Sequence, residues 1–369
     1  MKLPIKIIFI SKFNAKYGAQ NHVYSYLNFL RKSGENLSKT YLVSFSSTVY
    51  DVSMFEESGM NYVNLRTFKG IAWICKGLRY FREPIRLESH SALAGYISGI
   101  LAVVFDSISH VHHIHGSFLN KFKRNLRDRI LRSVFQEIEK IIWSKSRLMF
   151  CSSDDMEMYE SIGFSKNRML RFKYHIRDHG HVDSGKYLSQ GPLHFIFVGG
   201  FRNQKNQKAL VQAVLHSNNV DNDAVFHFFG DGPNRLELEK MVLESGIDKF
   251  VFHGFCEHEE IVNFIFANKC IGILLSYYEG QPLSLIEHLS FGLPVIANNF
   301  SGTKELFRDN IGTLLPLEFD SKDLDTVLKE YSNLKPSTLK EMSESSRRTY
   351  LNNFNYDETI INYSRKLSF

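Results

Sequence analysis

Cysteine is scarce in this sequence. Cys75, Cys151, Cys256 and Cys270 lie scattered through 369 residues, and no two form a CxxC pair. That spacing argues against a zinc site and against a disulfide framework, so the four are expected as buried thiols in a reducing compartment. Low-complexity tracts and internal repeats are missing too, which leaves a globular composition and rules out a repeat array. The longest apolar run, Ala92 to Phe105, has 14 residues, short of the roughly 18 to 20 that span a bilayer. The opening "MKLPIKIIFISKF" does not make a signal peptide, because Lys6 interrupts the run and no small-residue cleavage site follows. It reads as a first β-strand, and the expected location is cytoplasmic.

What is present is a chain long enough for two domains with substantial cores, 43% hydrophobic and 23% charged. Its net charge of +6 is uneven: residues 1–186 hold 28 Lys and Arg against 16 Asp and Glu, while residues 187–369 hold 17 against 23. The first half is therefore expected to face something anionic.

Short β-branched and aromatic runs alternate with helical patterns. In the first half "IKIIFI", "KTYLVSF", "NYVNL", "HVHHIHG" and "RLMFCS" read as strands, and Val23, Leu27 and Leu30 give helical spacing that stops at Gly34. The second half restarts with "LHFIFVGG", "AVFHFFGDG", "KFVFHGF", "CIGILLS", "LPVIANN" and "GTLLP". This alternation predicts an α/β protein of two Rossmann-like domains with parallel sheets. The expected divisions are residues 1–178, a linker at 179–192 within the polar stretch His175 to Pro192, residues 193–350, and a C-terminal helix at 351–369 that crosses back to the first domain. Ligands of such sheets bind beyond the carboxyl ends of the strands, so residues just after strands matter most.

One such stretch, "SYYEGQPLSLIEHLSFGLPVIANN", places Glu279 on a post-strand loop and Glu287 in the second turn of a helix expected over Pro282–Phe291. Pro282 suits the first helical position and Gly292 the position past the end. No capping side chain stands at Gln281, so the amides of Leu283 and Ser284 are left for an anion. Each glutamate is open to two readings: a solvated surface residue, or an acceptor of hydroxyl hydrogen bonds. If both accept from hydroxyls, a sugar diol and a ribose diol would flank a diphosphate at the helix end, as in a nucleotide-sugar.

The E-x7-E pair followed by "GLPVIANNFSGTKEL" resembles the retaining GT-B glycosyltransferases of family 4, the glycosyl transferases group 1, in their bacterial surface-polysaccharide form. The resemblance is dense over Leu193 to Pro316 and thin but collinear elsewhere. It implies a GT-B fold with a central cleft, and a glycosyltransferase that needs no metal or other cofactor. It assigns the donor sugar to Glu279, the ribose to Glu287, and the donor sugar and phosphate to the backbone of Gly280, Gln281, Pro282, Leu283 and Ser284. In "FVGGFRNQKNQ" Lys205 matches the family's diphosphate-binding lysine, but Gly200 stands where the family has an arginine. Arg202, two residues on, is the candidate replacement. "FGDGP" resembles a turn near the nucleotide, and Gly254 and Phe255 fall where the base is held.

In the first half the resemblance points to a histidine after a strand, and His115 is chosen over His110, His112 and His113 because it lies nearest the strand's carboxyl end. Strand alternation sends His112 and His113 to opposite faces, which argues against metal. Gly18 falls in the first strand-to-helix loop, where the family has two glycines and this chain has Ala19 second; a structural turn is the other reading. "DLD" at Asp323–Asp325 follows no apolar strand and is read as helix-dipole complementarity instead of a metal motif. Lys121, Lys123, Arg124, Arg127, Arg129 and Arg132, interleaved with Phe122, Leu126, Ile130 and Leu131, form a basic amphipathic helix suited to an anionic membrane surface or to an ordinary solvated face. No nucleic-acid platform or motif is found. The resemblance implies a nucleotide-diphosphate sugar as donor and a lipid-linked glycan as acceptor, in O-antigen, capsule or exopolysaccharide assembly at the inner face of the cytoplasmic membrane. The rival readings are a catalytically silent GT-B partner, suggested by Gly200 and the single glycine at Gly18, and a nucleotide-sugar epimerase.

Overall fold

Runs such as Ile7–Ile10 and Ile271–Leu275 are buried throughout, as expected of strands covered by helices on both faces of a parallel sheet. A computed structural model of the chain describes residues 5–11, 18–45, 59–67, 69, 84–121, 126–217, 224–300, 302–307 and 309–367. These residues divide into two units, Met1–His175 with Thr359–Phe369, and Ile176–Glu358.

In the first unit β1 (Ile5–Ile10), β2 (Thr40–Ser44), β3 (Asn61–Asn64), β4 (Ile85–His90), β5 (Ile108–Ile114), β6 (Arg147–Phe150) and β7 (Met169–Arg171) form one sheet in the order β3-β2-β1-β4-β5-β6-β7. In the second, β8 (His194–Val198), β9 (Val225–Phe229), β10 (Phe250–Gly254), β11 (Cys270–Leu274), β12 (Val295–Asn298) and β13 (Gly312–Leu315) follow the order β10-β9-β8-β11-β12-β13. Every pairing is parallel. Strand order reverses between β1 and β4 in one sheet and between β8 and β11 in the other. Diverging loops open a crevice at such points.

Two strands escaped the sequence reading. Strand β4 carries Arg86, Glu88, Ser89 and His90, so it shows no apolar run, yet it lies between β1 and β5. Its polarity is tolerated through pairing: the fully buried Glu88 meets Lys6 at 3.4 Å and Arg86 at 3.1 Å. Strand β7 has only three residues. The stretch read as a linker is built into the second unit instead, because Val182 donates to Phe291 O (2.9 Å) and the buried Tyr187 donates to Cys270 O (2.7 Å). The unit boundary accordingly falls at His175/Ile176. At the other end, the helix Pro336–Phe354 belongs to the second unit and the return to the first begins at Thr359, within the helix Tyr356–Leu367. Asp323 completes a reciprocal cap with Asp320 at the start of the helix Ser321–Asn333, and Asp325 pairs with Lys329. Cys75 lies outside the described residues; Cys151, Cys256 and Cys270 are free thiols. No helix among the described residues is long and apolar enough to cross a membrane.

Candidate functional site

The crevice of the second sheet is built by the loops that follow β8 and β11. Both strands are buried hydrophobic runs, so their ends are fixed by the core and their loops inherit that placement. Two hydrogen bonds stitch the loops together: Tyr277 N donates to Gln204 O (2.9 Å), and Gln204 Nε2 donates to Tyr278 O (2.7 Å). Across the stitched loops Lys205 Nζ lies 2.7 Å from Glu279 Oε1, and Ser276 Oγ donates to the same oxygen at 2.8 Å. The two residues expected to serve a diphosphate and a sugar are thus paired with each other.

The helix after this loop runs Leu283–Ser290, and Pro282 is its N-cap with extended geometry. This corrects the expected start by one residue: the ψ of Pro282 is 90°, so helical geometry begins at Leu283. Leu283, Ser284 and Leu285 then have amides without an acceptor inside the helix, and no side chain caps them. Ser284 Oγ is buried without a partner. Glu287, one turn along, lacks a carboxylate hydrogen bond or ion pair among the described residues, and burial pushes its carboxyl up to about 7. Glu287 itself is half-buried, whereas the Ser284 hydroxyl is a buried group left unsatisfied beside free amides, which is costly unless something else supplies its partner.

The remaining second-unit candidates lie on the same carboxyl edge. Gly200 has no side chain to offer, but the exposed Arg202 places Nε 3.9 Å from where a Cβ on Gly200 would stand. A cation from two residues on therefore occupies the approach that a side chain at 200 would use. The "FGDGP" turn braces this loop: Gly230 has φ +144° and a Cβ there would meet Gly199 O at 2.3 Å. Gly254 ends β10, and its carbonyl accepts from Gly230 N at 2.7 Å; Phe255 beyond it is exposed. Sequence reasoning missed Gln204, Ser276 and Gly302. Gly302, at φ +87°, backs the Gly280 carbonyl so closely that a Cβ would stand 2.5 Å from it. The S-x-x-E spacing of Ser276 and Glu279 was available as a signal; Gln204 gave none.

His115 and Gly18 belong to the first unit. Gly18 opens the helix Gly18–Lys32 with φ +28°, and a Cβ there would meet nothing within 4 Å. His115 follows β5 and is hydrogen-bonded through Nδ1 to Tyr174 (2.5 Å) and through Nε2 to His90 (2.9 Å). His113 stacks on His90 at 4.1 Å and is hydrogen-bonded to Tyr363, while His112 packs on Trp143. His22 lies against His175, at 4.5 Å between ring centroids, with both its ring nitrogens unpartnered.

Burial holds these imidazoles neutral: His112 and His115 fall to about 3, His175 to about 4, and His22, His90 and His113 are also lowered. An unfolded histidine titrates near 6.5, so below that pH the unfolded chain binds more protons than the folded one. Stability is therefore present above pH 6.5 and lost as pH falls toward the folded values, at about 1.4 kcal/mol per pH unit for each histidine that stays neutral. Thermal unfolding followed from pH 7.5 to 5 should show a steep drop in Tm. A flat profile would mean that these rings already carry charge in the folded state.

Residues 183–349, spanning the whole E-x7-E crevice, match the family model described as "Glycosyl transferases group 1". That match takes in just under half of the chain, and this stretch is similar to the glycosyl transferases group 1. The chain is also similar to several curated glycosyltransferases. It is 33% identical over 121 residues to the 2-deoxystreptamine glucosyltransferase of Streptomyces kanamyceticus, a match covering 32% of this chain and 30% of that protein. It is 25% identical over 313 residues to an Escherichia coli UDP-Gal:alpha-D-GlcNAc-diphosphoundecaprenol alpha-1,3-galactosyltransferase, covering 79% of this chain and 76% of that one. Among solved structures, Anabaena Alr3699/HepE in complex with UDP and glucose superposes with a TM-score of 0.77, 13% identity and 99% coverage of both chains. The fold of this chain is GT-B.

Proposed function

We propose that this enzyme moves a sugar from a nucleotide diphosphate, with UDP as the first candidate, to a hydroxyl of a lipid-linked glycan, with retention at the anomeric carbon. The setting is assembly of a bacterial surface polysaccharide at an anionic membrane face. The half-buried Glu287 beside a helix N-terminus carries the reading, because a ribose diol would donate the two hydrogen bonds that its carboxylate lacks among the described residues. The Escherichia coli relative is named for UDP-Gal and a diphosphoundecaprenol acceptor, and the Anabaena structure holds UDP; both support the donor class.

In this reading Glu279 accepts from sugar hydroxyls, the amides of Leu283, Ser284 and Leu285 meet the diphosphate, and Lys205 and Arg202 neutralise it. As the anomeric carbon–oxygen bond breaks, charge builds on the leaving diphosphate. Preformed donors and cations stabilise that charge without reorganising. The incoming hydroxyl bonds to the anomeric carbon on the same face, and its proton passes to the departing diphosphate oxygen. Neither glutamate then serves as a covalent nucleophile. The resemblance further assigns His115 to the donor sugar and Gly18 to donor phosphate or acceptor, and both remain part of the proposal. Gly254 and Phe255 hold the base.

The test is thermal stability with UDP, GDP, ADP or CMP. A ligand bound only by the folded state at 100-fold over Kd adds about 2.7 kcal/mol. UDP should raise the transition of the wild type and leave Glu287→Ala unmoved. If none of the four moves the wild type, the donor site is wrongly assigned.

A further inference from the structure

Two neighbouring helices of the first unit turn aliphatic side chains to solvent. On Leu126–Ile142 these are Leu126, Ile130, Val134, Ile138 and Ile141, with Leu126 72% and Ile141 69% exposed. Spacings of four and three residues put all five on one face. On Ala92–Val104, Leu93, Ile100 and Val104 are exposed, the last at 64%. The helices pack side by side: Tyr96 donates to Glu139 at 2.9 Å, and a Cβ on Gly99 would meet Ile142 at 2.5 Å.

The side of Leu126–Ile142 that turns inward packs the half-buried Phe135 and Ile142 against the core. Its one fully buried residue is Glu139, whose two oxygens accept from Tyr96 and from Tyr159 (2.8 Å). The Glu139 carboxylate, with Phe135 and Ile142, anchors the helix to its unit while five aliphatic residues face out. Contiguous apolar faces of this kind are rare on a soluble monomer unless they bind something.

Charge and shape identify the occupant. Arg127 and Arg129 are exposed on the same helix, and Lys121, Lys123 and Arg124 precede it in sequence. The side chain of Lys121 and residues 122–125 lie outside the described residues. Leu131, half-buried, is not part of the outward stripe. Purely aliphatic side chains beside arginines match the acyl edge and phosphate layer of an anionic bilayer, where each nearby cation adds its own attraction.

We infer that Ala92–Val104 and Leu126–Ile142 form a two-helix docking face that inserts its aliphatic side chains into an anionic membrane. This rests on the lipid-linked acceptor proposed above, which presents its glycan at such a surface.

The test is co-sedimentation of the full chain with vesicles of phosphatidylglycerol and phosphatidylethanolamine, against vesicles of phosphatidylcholine alone. The wild type should pellet with the anionic vesicles and weakly or not at all with the neutral ones. Ile130→Asp with Ile141→Asp should lower partitioning by about tenfold or more, and Arg127→Glu with Arg129→Glu should lower it and flatten its salt dependence. All four positions are exposed, so nucleotide-sugar binding without vesicles should stay at wild-type level and report intact folding. Wild-type protein that ignores both vesicle types, or isoleucine variants that bind as well as wild type, would overturn the docking face. A lipid-free dimer abolished by the isoleucine changes would assign the face to a second copy instead. Loss of nucleotide-sugar binding in the wild type would sink the transferase reading and leave the vesicle result standing.

Discussion

Lys205→Ala is expected to lower the rate of sugar transfer by about 10²- to 10³-fold. Lys205 lies in the crevice of the second unit, 2.7 Å from Glu279, with Arg202 as the neighbouring cation of the same loop. In the proposed reaction charge on the diphosphate grows as the bond to sugar breaks, so the lysine would contribute most in the transition state. Its loss should therefore reduce kcat more than it raises KM. The pair is only partly exposed, so removing the lysine leaves Glu279 with Ser276 alone and costs about 1–2 kcal/mol of stability. Steady-state kinetics, with a melting curve to confirm folding, checks both. A variant that keeps kcat within about threefold of wild type would remove Lys205 from the machinery. Arg202→Ala belongs in the same experiment: with Gly200 contributing no charge, it should lower kcat further in the Lys205→Ala background.

Nucleotide-sugar affinity should depend on pH through Glu287. Burial raises its carboxyl to about 7 in the free protein, whereas the proposed bound state would require the carboxylate to accept from ribose hydroxyls. Binding then releases a proton at low pH, and affinity should be about tenfold weaker at pH 6 than at pH 8. A nucleotide-sugar is the right ligand, because its diphosphate has no terminal group titrating near 6, unlike a free phosphate. Calorimetry across pH 5.5–8.5 should show this slope in the wild type and a flatter one in Glu287→Gln. The same shift affects folding with the opposite sense. A carboxyl raised when folded favours the native state most below the unfolded value of 4.5, and that contribution is lost as pH rises through 7. Glu287→Gln should accordingly melt higher than the wild type at pH 8. Equal pH slopes in both proteins would place the titration elsewhere.

The second sheet was legible because its strands read as short, mostly apolar runs, and in the inner strands β8, β9, β11 and β12 this follows from burial on both faces. The first was legible only in part. Strand β4 hides Glu88 among Lys6 and Arg86, and its polarity makes sense only when β1 is beside it.

The sequence alone settled the α/β class, the tandem domains and the E-x7-E motif, because these rest on local periodicity and on residues close in the chain. Tertiary structure decided what lay far apart. It brought Lys205 onto Glu279 and set Arg202 beside Gly200. It tied His115 to His90 and Tyr174, and turned the aliphatic stripe of Leu126–Ile142 outward on a buried Glu139. Periodicity tells which side chains share a face of a helix. Only the packing of neighbouring elements decides which face is buried.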